Sequence, residues 1–507
     1  MTTIGNGQVA YIPSAAFGYN AFGFNILNGG EMVVNSGGMA DYTTISVGGV
    51  EVVARQGMDF NALINGTQYV QGDGAHAYSA TVDGGGLQEI LTGGVASNTI
   101  VNRGTQTVDT GGTAVGATIN SNGVQYVENS WNGATGGIAS ATTVNFGGNE
   151  IIYGGGTASN TTVNVGGYME VDGTGKAISR TLNGGFELVT GGTTSGTVVN
   201  NHGLEELVGG FASGTNVNSG GEQDVFYAGS AGSTTVNAGG REFVAYGGSV
   251  SGTSVKSGGL EQVGSNGLAR GTYVQVGGRE EILAGGVASG AVVGARGEQD
   301  VKAGGVASGS LVVHLGLEVV SAGGTAVNTS IQGGALDLKA GATATGSINF
   351  TGAGGELVIE GTAMPNAVIS GFAPTDTIEL SAVKFDPGGS VQLLAGNVLQ
   401  VAENGASYQL KLDPNQRFYY TSFHLAADPA NGGTMITATS IATTGSSAPV
   451  DPKAGAVPSI DLLAQHMASS LPSSGPVATG AQDAFGNHSA DPAPALTQPQ
   501  RATHVLM

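Results

Sequence analysis

Between residues 29 and 345 the hydrophobic and polar positions alternate in short bursts separated by glycine, and the bursts recur. The first burst of each unit sets a polar residue two places after a glycine and an aliphatic residue four places after it. VEVV at 50–53, VQYV at 124–127, REFV at 241–244 and LEVV at 317–320 all follow this rule. Alternation with a period of two predicts β-strand. A second burst, such as GGTASNTTVNVGG at 155–167 or GGVASGAVVGARG at 285–297, predicts a further short β segment with its alanine and last aliphatic residue pointing inward. Helix is excluded because glycines every seven to eleven residues would each cost about 1 kcal/mol there, and no 3.6-residue period is present.

Aligned on glycine, the units form a ladder running from Gly30 and Gly49 through Gly85 and Gly104 to Gly316 and Gly334, with steps that are mostly 17 to 19 residues. Self-similarity at that period predicts a β-solenoid, in which each unit buries its apolar face only against its neighbours. The column Val53, Val70, Val108, Val127, Ile152, Val171, Val189, Leu207, Val225, Val244, Val263, Ile282, Val301 and Val320 is assigned to the core. One longer step, from Gly123 to Gly148, carries Trp131 and reads as a loop at 128–137.

Two polar columns accompany the core column. Glu51, Gln68, Gln106, Gln125, Glu150, Glu187, Glu205, Gln223, Glu242, Glu261, Glu280, Gln299 and Glu318 share its parity, so they either face inward at an edge or turn outward at a corner. A solvated edge is the expectation, with cation binding along the stripe as the alternative. Asn120, Asn145, Asn164, Asn200, Asn218 and Asn237 precede corner glycines and are expected to pair their amides up the stack.

Composition narrows the picture. With 92 glycines and 40% apolar residues, the chain has enough apolar surface to fold only if glycine is confined to corners. A net charge of −21 with only 16 Lys and Arg excludes clustered phosphate contacts, so neither nucleic acid nor an anionic membrane surface is an expected partner. No cysteine is present, which removes disulfides and thiolate metal sites. No apolar run is long enough for a membrane span. The first residues lack the basic and apolar regions of a secretory signal, so export is expected to use another address.

The repeats resemble the AIDA-type repeat of autotransporter adhesin passengers, on GGTASNTTV at 155–163, GGVASNTIV at 93–101 and GGTAVNTSI at 323–331. The resemblance covers about 29–345. It implies a right-handed parallel β-helix of about 17 units, secretion or cell-surface display, and a part in adhesion, autoaggregation or biofilm formation. The implied partners are cell surfaces, matrix or glycans and other copies of the chain. Members of the family can carry heptose on Ser or Thr, placed by dedicated glycosyltransferases. The matching acceptor candidates are Ser97, Ser140, Ser159, Ser213, Ser289 and Ser308, in GGxAS corners, where the first expectation is that a small hydroxyl simply satisfies a turn amide. Around the repeats, residues 1–28 are expected to form a cap and 346–440 a separate β domain. Residues 441–507, rich in Ala, Pro and Ser, are expected to form a disordered tail with one helix at 460–471.

Catalytic and cofactor motifs are missing from the sequence. The seven histidines show no metal-ligand spacing, and no nucleophile elbow or phosphate-binding loop occurs. A polysaccharide-active β-helix enzyme would need carboxylates at rungs that break the repeat, and the 128–137 loop is the place to look for them. An ice-binding array on Thr99, Thr118, Thr143, Thr162, Thr235 and Thr253 ranks below adhesion. The expected function is a non-enzymatic adhesive or structural rod without cofactor or metal.

Overall fold

The computed structural model describes residues 2–13, 18–129 and 136–440. Throughout the repeats each turn of chain contains three short strands. In one turn these are Val50–Val53, Met58–Phe60 and Leu63–Ile64. Each pairs in parallel with the same strand of the next turn: Val50 with Thr67, Met58 with His76, Leu63 with Thr81. The first strands of the turns, mostly of four or five residues, build one sheet of 22 strands, all parallel except the last two in the chain. At about 4.8 Å per rung this parallel stack extends roughly 90 Å.

The second burst thus holds two strands, divided by a single residue in the left-handed region, mostly Asn or Gly (Asn61, Asn98 and Asn160 at φ 57°, 56° and 55°, Gly214 and Gly252 both at 65°) and elsewhere Tyr42, Ser79, Ala141, Ser179 or Ser233. Asn and Gly tolerate that conformation, and the bend turns the wall without interrupting the ladder. The corner glycines meet a different constraint. A Cβ on Gly259 would stand 2.5 Å from the Val236 carbonyl oxygen of the preceding rung, so only glycine lets the rungs close to hydrogen-bonding distance.

All fourteen residues of the aliphatic column are fully buried, joined by Ile90 and by the alanine and aliphatic columns of the other two walls, such as Ala158 with Val163 and Ala288 with Val293. Fully burying each valine contributes about 2 kcal/mol. One rung offers too few such side chains to offset its own ordering, so stability belongs to the stack.

The described residues within 1–28, a segment expected as a cap, supply rungs of their own. Val9–Ile12 pairs in parallel with Glu31–Val34, because its alternating burial matches that of the later repeats. At the other end parallel stacking runs on past residue 345 through Glu356–Ile359 to Thr377–Lys384. Only there does pairing turn antiparallel, with Gly433–Ser440 and then Thr421–Ala427, beside a three-stranded sheet of Ser390–Leu394, Val398–Glu403 and Ala406–Lys411. One apolar cluster extends from Ile282 to Ala438 across the expected boundary. The expected tail, with its helix at 460–471, and most of the 128–137 loop lie outside the described residues.

Candidate functional site

The Glu/Gln column lies inside the solenoid, not on a solvated edge. Every member from Glu51 to Glu318 is fully buried, together with Gln88, which alignment on Gly85 instead of Gly86 conceals. In a strand, residues two apart share a face, and the valine two places on fixes that face as the interior. Along the column Ala10 and Met32 precede Glu51, Met169 interrupts the run, and Leu336, Leu357 and Ile378 follow Glu318. The polar ladder is therefore closed by apolar side chains at both ends.

Buried polar groups persist only when they are satisfied, and the ladder is satisfied unevenly. Gln88 donates to the Gln68 carboxamide at 2.8 Å, Gln106 to Gln88 at 2.7 Å and Gln125 to Gln106 at 2.6 Å. Gln68 donates to both Glu51 and the buried Asp59, each at 2.8 Å. A second interior column, of Thr and Ser, faces the ladder. Thr99 donates to Gln88 at 3.0 Å, Thr215 to Glu205 at 2.9 Å and Ser310 to Gln299 at 2.8 Å. Two of the threonines considered for an ice-binding face, Thr99 and Thr253, belong to this buried column, whereas Thr118, Thr143, Thr162 and Thr235 stand at the next position along the chain and face outward. The six therefore do not share one face, although Thr118, Thr143 and Thr162 align rung to rung on the outside.

Arg180 stands where neighbouring rungs carry Thr161 and Thr197, and it is the one buried cation among the described residues. Its guanidinium lies 2.8 Å from Glu187 and 3.5 Å from Glu205, and it donates to the carbonyls of Ala177 and Ser195 and to Thr197. Elsewhere the ladder carboxyls lack a counter-ion. Neither oxygen of Glu150, Glu242 or Glu318 has a hydrogen-bond partner. Burial pushes Glu150 and Glu318 up to about 7, partly offset by nearby threonine hydroxyls. Burial and the neighbouring carboxyls raise Glu261 well above the usual carboxylate range. No group of three metal-ligating side chains comes together among the described residues.

On the outside, Ser97, Ser140, Ser159, Ser213, Ser289 and Ser308 each end the second strand of a rung, one residue before the left-handed bend. All six are half-buried. They fall in one column, with Ser140 beside Ser159 and Ser289 beside Ser308. Instead of satisfying turn amides, the Ser159 and Ser213 hydroxyls lie 3.5 and 3.4 Å from carbonyls of the preceding rung. Ser195 and Ser251 occupy the same column, hidden in the sequence because their repeats read GGTTS and GGSVS. The asparagine ladder pairs as its spacing predicts. Asn145 donates to Asn120, Asn164 to Asn145 and Asn237 to Asn218, each at 2.9 Å, and Asn218 donates to Asn200 at 2.8 Å.

Residues 206–259 match the family described as the adhesin of the bacterial autotransporter system, probable stalk. No curated protein matches the chain. Among solved structures, the TibC-catalysed hyper-glycosylated TibA fragment 55–350 is 30% identical, with 66% of this chain and 100% of that one covered and a TM-score of 0.37. The Dettilon tailspike protein (gp208) aligns at 12% identity and a TM-score of 0.12, over 83% of this chain and 82% of that one, a likeness too weak to carry an argument. No helix among the described residues is long and apolar enough to cross a membrane. Sequence identity over the whole TibA fragment, together with the stalk-family match, shows that the chain belongs to the AIDA-type autotransporter adhesin family of secreted or surface-displayed, structural repeat proteins.

Proposed function

We propose that the chain is an adhesive stalk whose outer serine column accepts sugars and whose repeated faces mediate adhesion, autoaggregation or biofilm formation. The observation that carries this reading is the serine column itself: small hydroxyls on one outer wall, repeated at rung spacing over a core sealed against solvent. Contacts that are weak singly add by multivalency on such a rod, so cell surfaces, matrix, glycans or other copies of the chain are the partners it suits. A glycosyltransferase is the partner the serines require, and the printed modification of the TibA fragment supports the assignment. The alternative of a carbohydrate-active enzyme is disfavoured by burial, since the ladder carboxyls that could serve as acid and base face the interior and no substrate can reach them.

Intact mass tests the proposal. Protein from the native cell surface and from the medium is weighed beside recombinant protein made without a glycosyltransferase, and aggregation of cells bearing each form is scored. Serial additions of one sugar, lost when the six serines together with Ser195 and Ser251 are replaced by alanine, are the expected result. Unmodified protein confined to the medium removes the glycan assignment, and protein confined to the cytoplasm removes the surface role.

A further inference from the structure

Two stretches of the interior ladder have the same shape and different donors. In the Gln88–Gln106–Gln125 stretch every carboxamide donates to the rung before it. Glu242, Glu261 and Glu280 occupy the same column in three consecutive rungs, aligned Cα to Cα and equally buried. A carboxylate offers only acceptors, so ionised neighbours about 4.8 Å apart repel and leave their lone pairs unused. A protonated carboxyl has the outline of a carboxamide and one O–H to donate.

The surroundings supply no counter-charge. Inside the solenoid these three face Glu205 and Gln223 on earlier rungs, Gln299 and Glu318 on later ones, and the hydroxyls of Thr234, Thr253 and Thr272. Gln299 donates to Glu280 at 2.7 Å and Thr272 to Glu261 at 3.3 Å. Both oxygens of Glu242, one of Glu261 and one of Glu280 have no partner. The cations on the same strands turn outward, Arg241 to Glu222 and Arg279 to Glu281 and Asp300. Lys256 and Arg270, on the other walls, are exposed. Arg180 is committed to Glu187 and Glu205.

We infer that Glu242, Glu261 and Glu280 form a proton-operated latch in the stalk, pairing rung to rung as acids in the manner of the glutamines and parting those rungs when they ionise. Each carboxyl takes up one proton from solvent as the rungs close and returns it as they open. This device lies beyond the adhesive reading and does not depend on it. Burial raises Glu242 and Glu280 to about 7. The folded-state values stand above those of the unfolded chain, so the stabilisation is complete below about pH 4.5 and is lost as pH rises through about 7.

Peptide-resolved amide exchange on the full chain, corrected for the intrinsic rate, tests the latch at pH 5 and pH 8. Rungs 241–282 are expected to lose at least about tenfold more protection than rungs 105–127 on going to pH 8. The triple variant E242Q/E261Q/E280Q is expected to abolish that difference. Equal losses in both stretches, or a loss that persists in the variant, overturns the inference. Infrared spectra of the wild type near pH 6 give a second measurement that needs no variant: the carbonyl band of protonated carboxylic acids is expected, and its absence overturns the inference. Protection restored at pH 8 by calcium and stripped by a chelator would make the ladder a cation site, which also overturns it.

Discussion

The amide stretch at 68–125 and the acid stretch at 242–280 share a backbone, a register and complete burial, and differ in whether the side chain always carries a hydrogen to donate. In the first, the ladder closes its own bonds at every pH. In the second, closure depends on protons, because no cation meets an ionised carboxyl there and the donors from Gln299 and Thr272 leave both oxygens of Glu242 and one each of Glu261 and Glu280 without a partner. Rungs 180–205 resolve the problem a third way, by bringing one arginine into the core. Burial alone therefore does not specify how a β-solenoid tolerates polar residues; the donor inventory of each rung does.

The comparison can be broken most severely at Arg180. Arg180→Met leaves Glu187 and Glu205 buried without their partner and is expected to destabilise the adjoining rungs by about 3–5 kcal/mol at pH 8. Denaturant unfolding measures this, and adding E187Q and E205Q should return most of the loss. A sharper and smaller change carries the acid into the amide stretch. Gln106→Glu is expected to be nearly silent at pH 4.5 and to cost about 2–3 kcal/mol at pH 8, giving the 105–127 rungs a pH dependence they lack. The sign follows from burial, which raises the folded-state value, so stability falls as pH climbs toward 7; thermal unfolding across that range reads it. The smallest effect belongs to the half-buried outer ladder. Asn218→Ala removes the bonds to Asn200 and Asn237 and should cost about 1 kcal/mol at every pH.

Much of this arrangement is legible in the residues. Period-two alternation located the Val53-to-Val320 column, and recurrence of Asn before corner glycines located the amide ladder, because both signals repeat at every rung. The inward side taken by Glu51 and its successors runs against the expected solvated edge, an expectation that rests on Glu being mostly exposed in folded proteins. The correcting signal was present: Met32, Met169 and Leu336 substitute for Glu in the same register, and apolar residues do not recur at a solvated edge. Arg180 gave no such signal. It is a single departure from a column of Thr, Ser and Ala, and its role exists only because the fold stacks Glu187 and Glu205 against it. Ser195 and Ser251 escaped a motif written around alanine, although the strand register makes their position equivalent.

The apolar closures at Met32 and Leu336 have a kinetic consequence. With both ends stoppered and the walls made of continuous sheet, no water file reaches Glu261 while the rungs are closed. A proton can enter or leave only when part of the wall opens, so exchange runs at the rate of local opening and not of diffusion. Upward and downward pH sweeps should then trace separate curves, and a stalk folded in acid would keep its protons for a time after the medium turns neutral, a hysteresis that gives the rod a memory of where it was assembled.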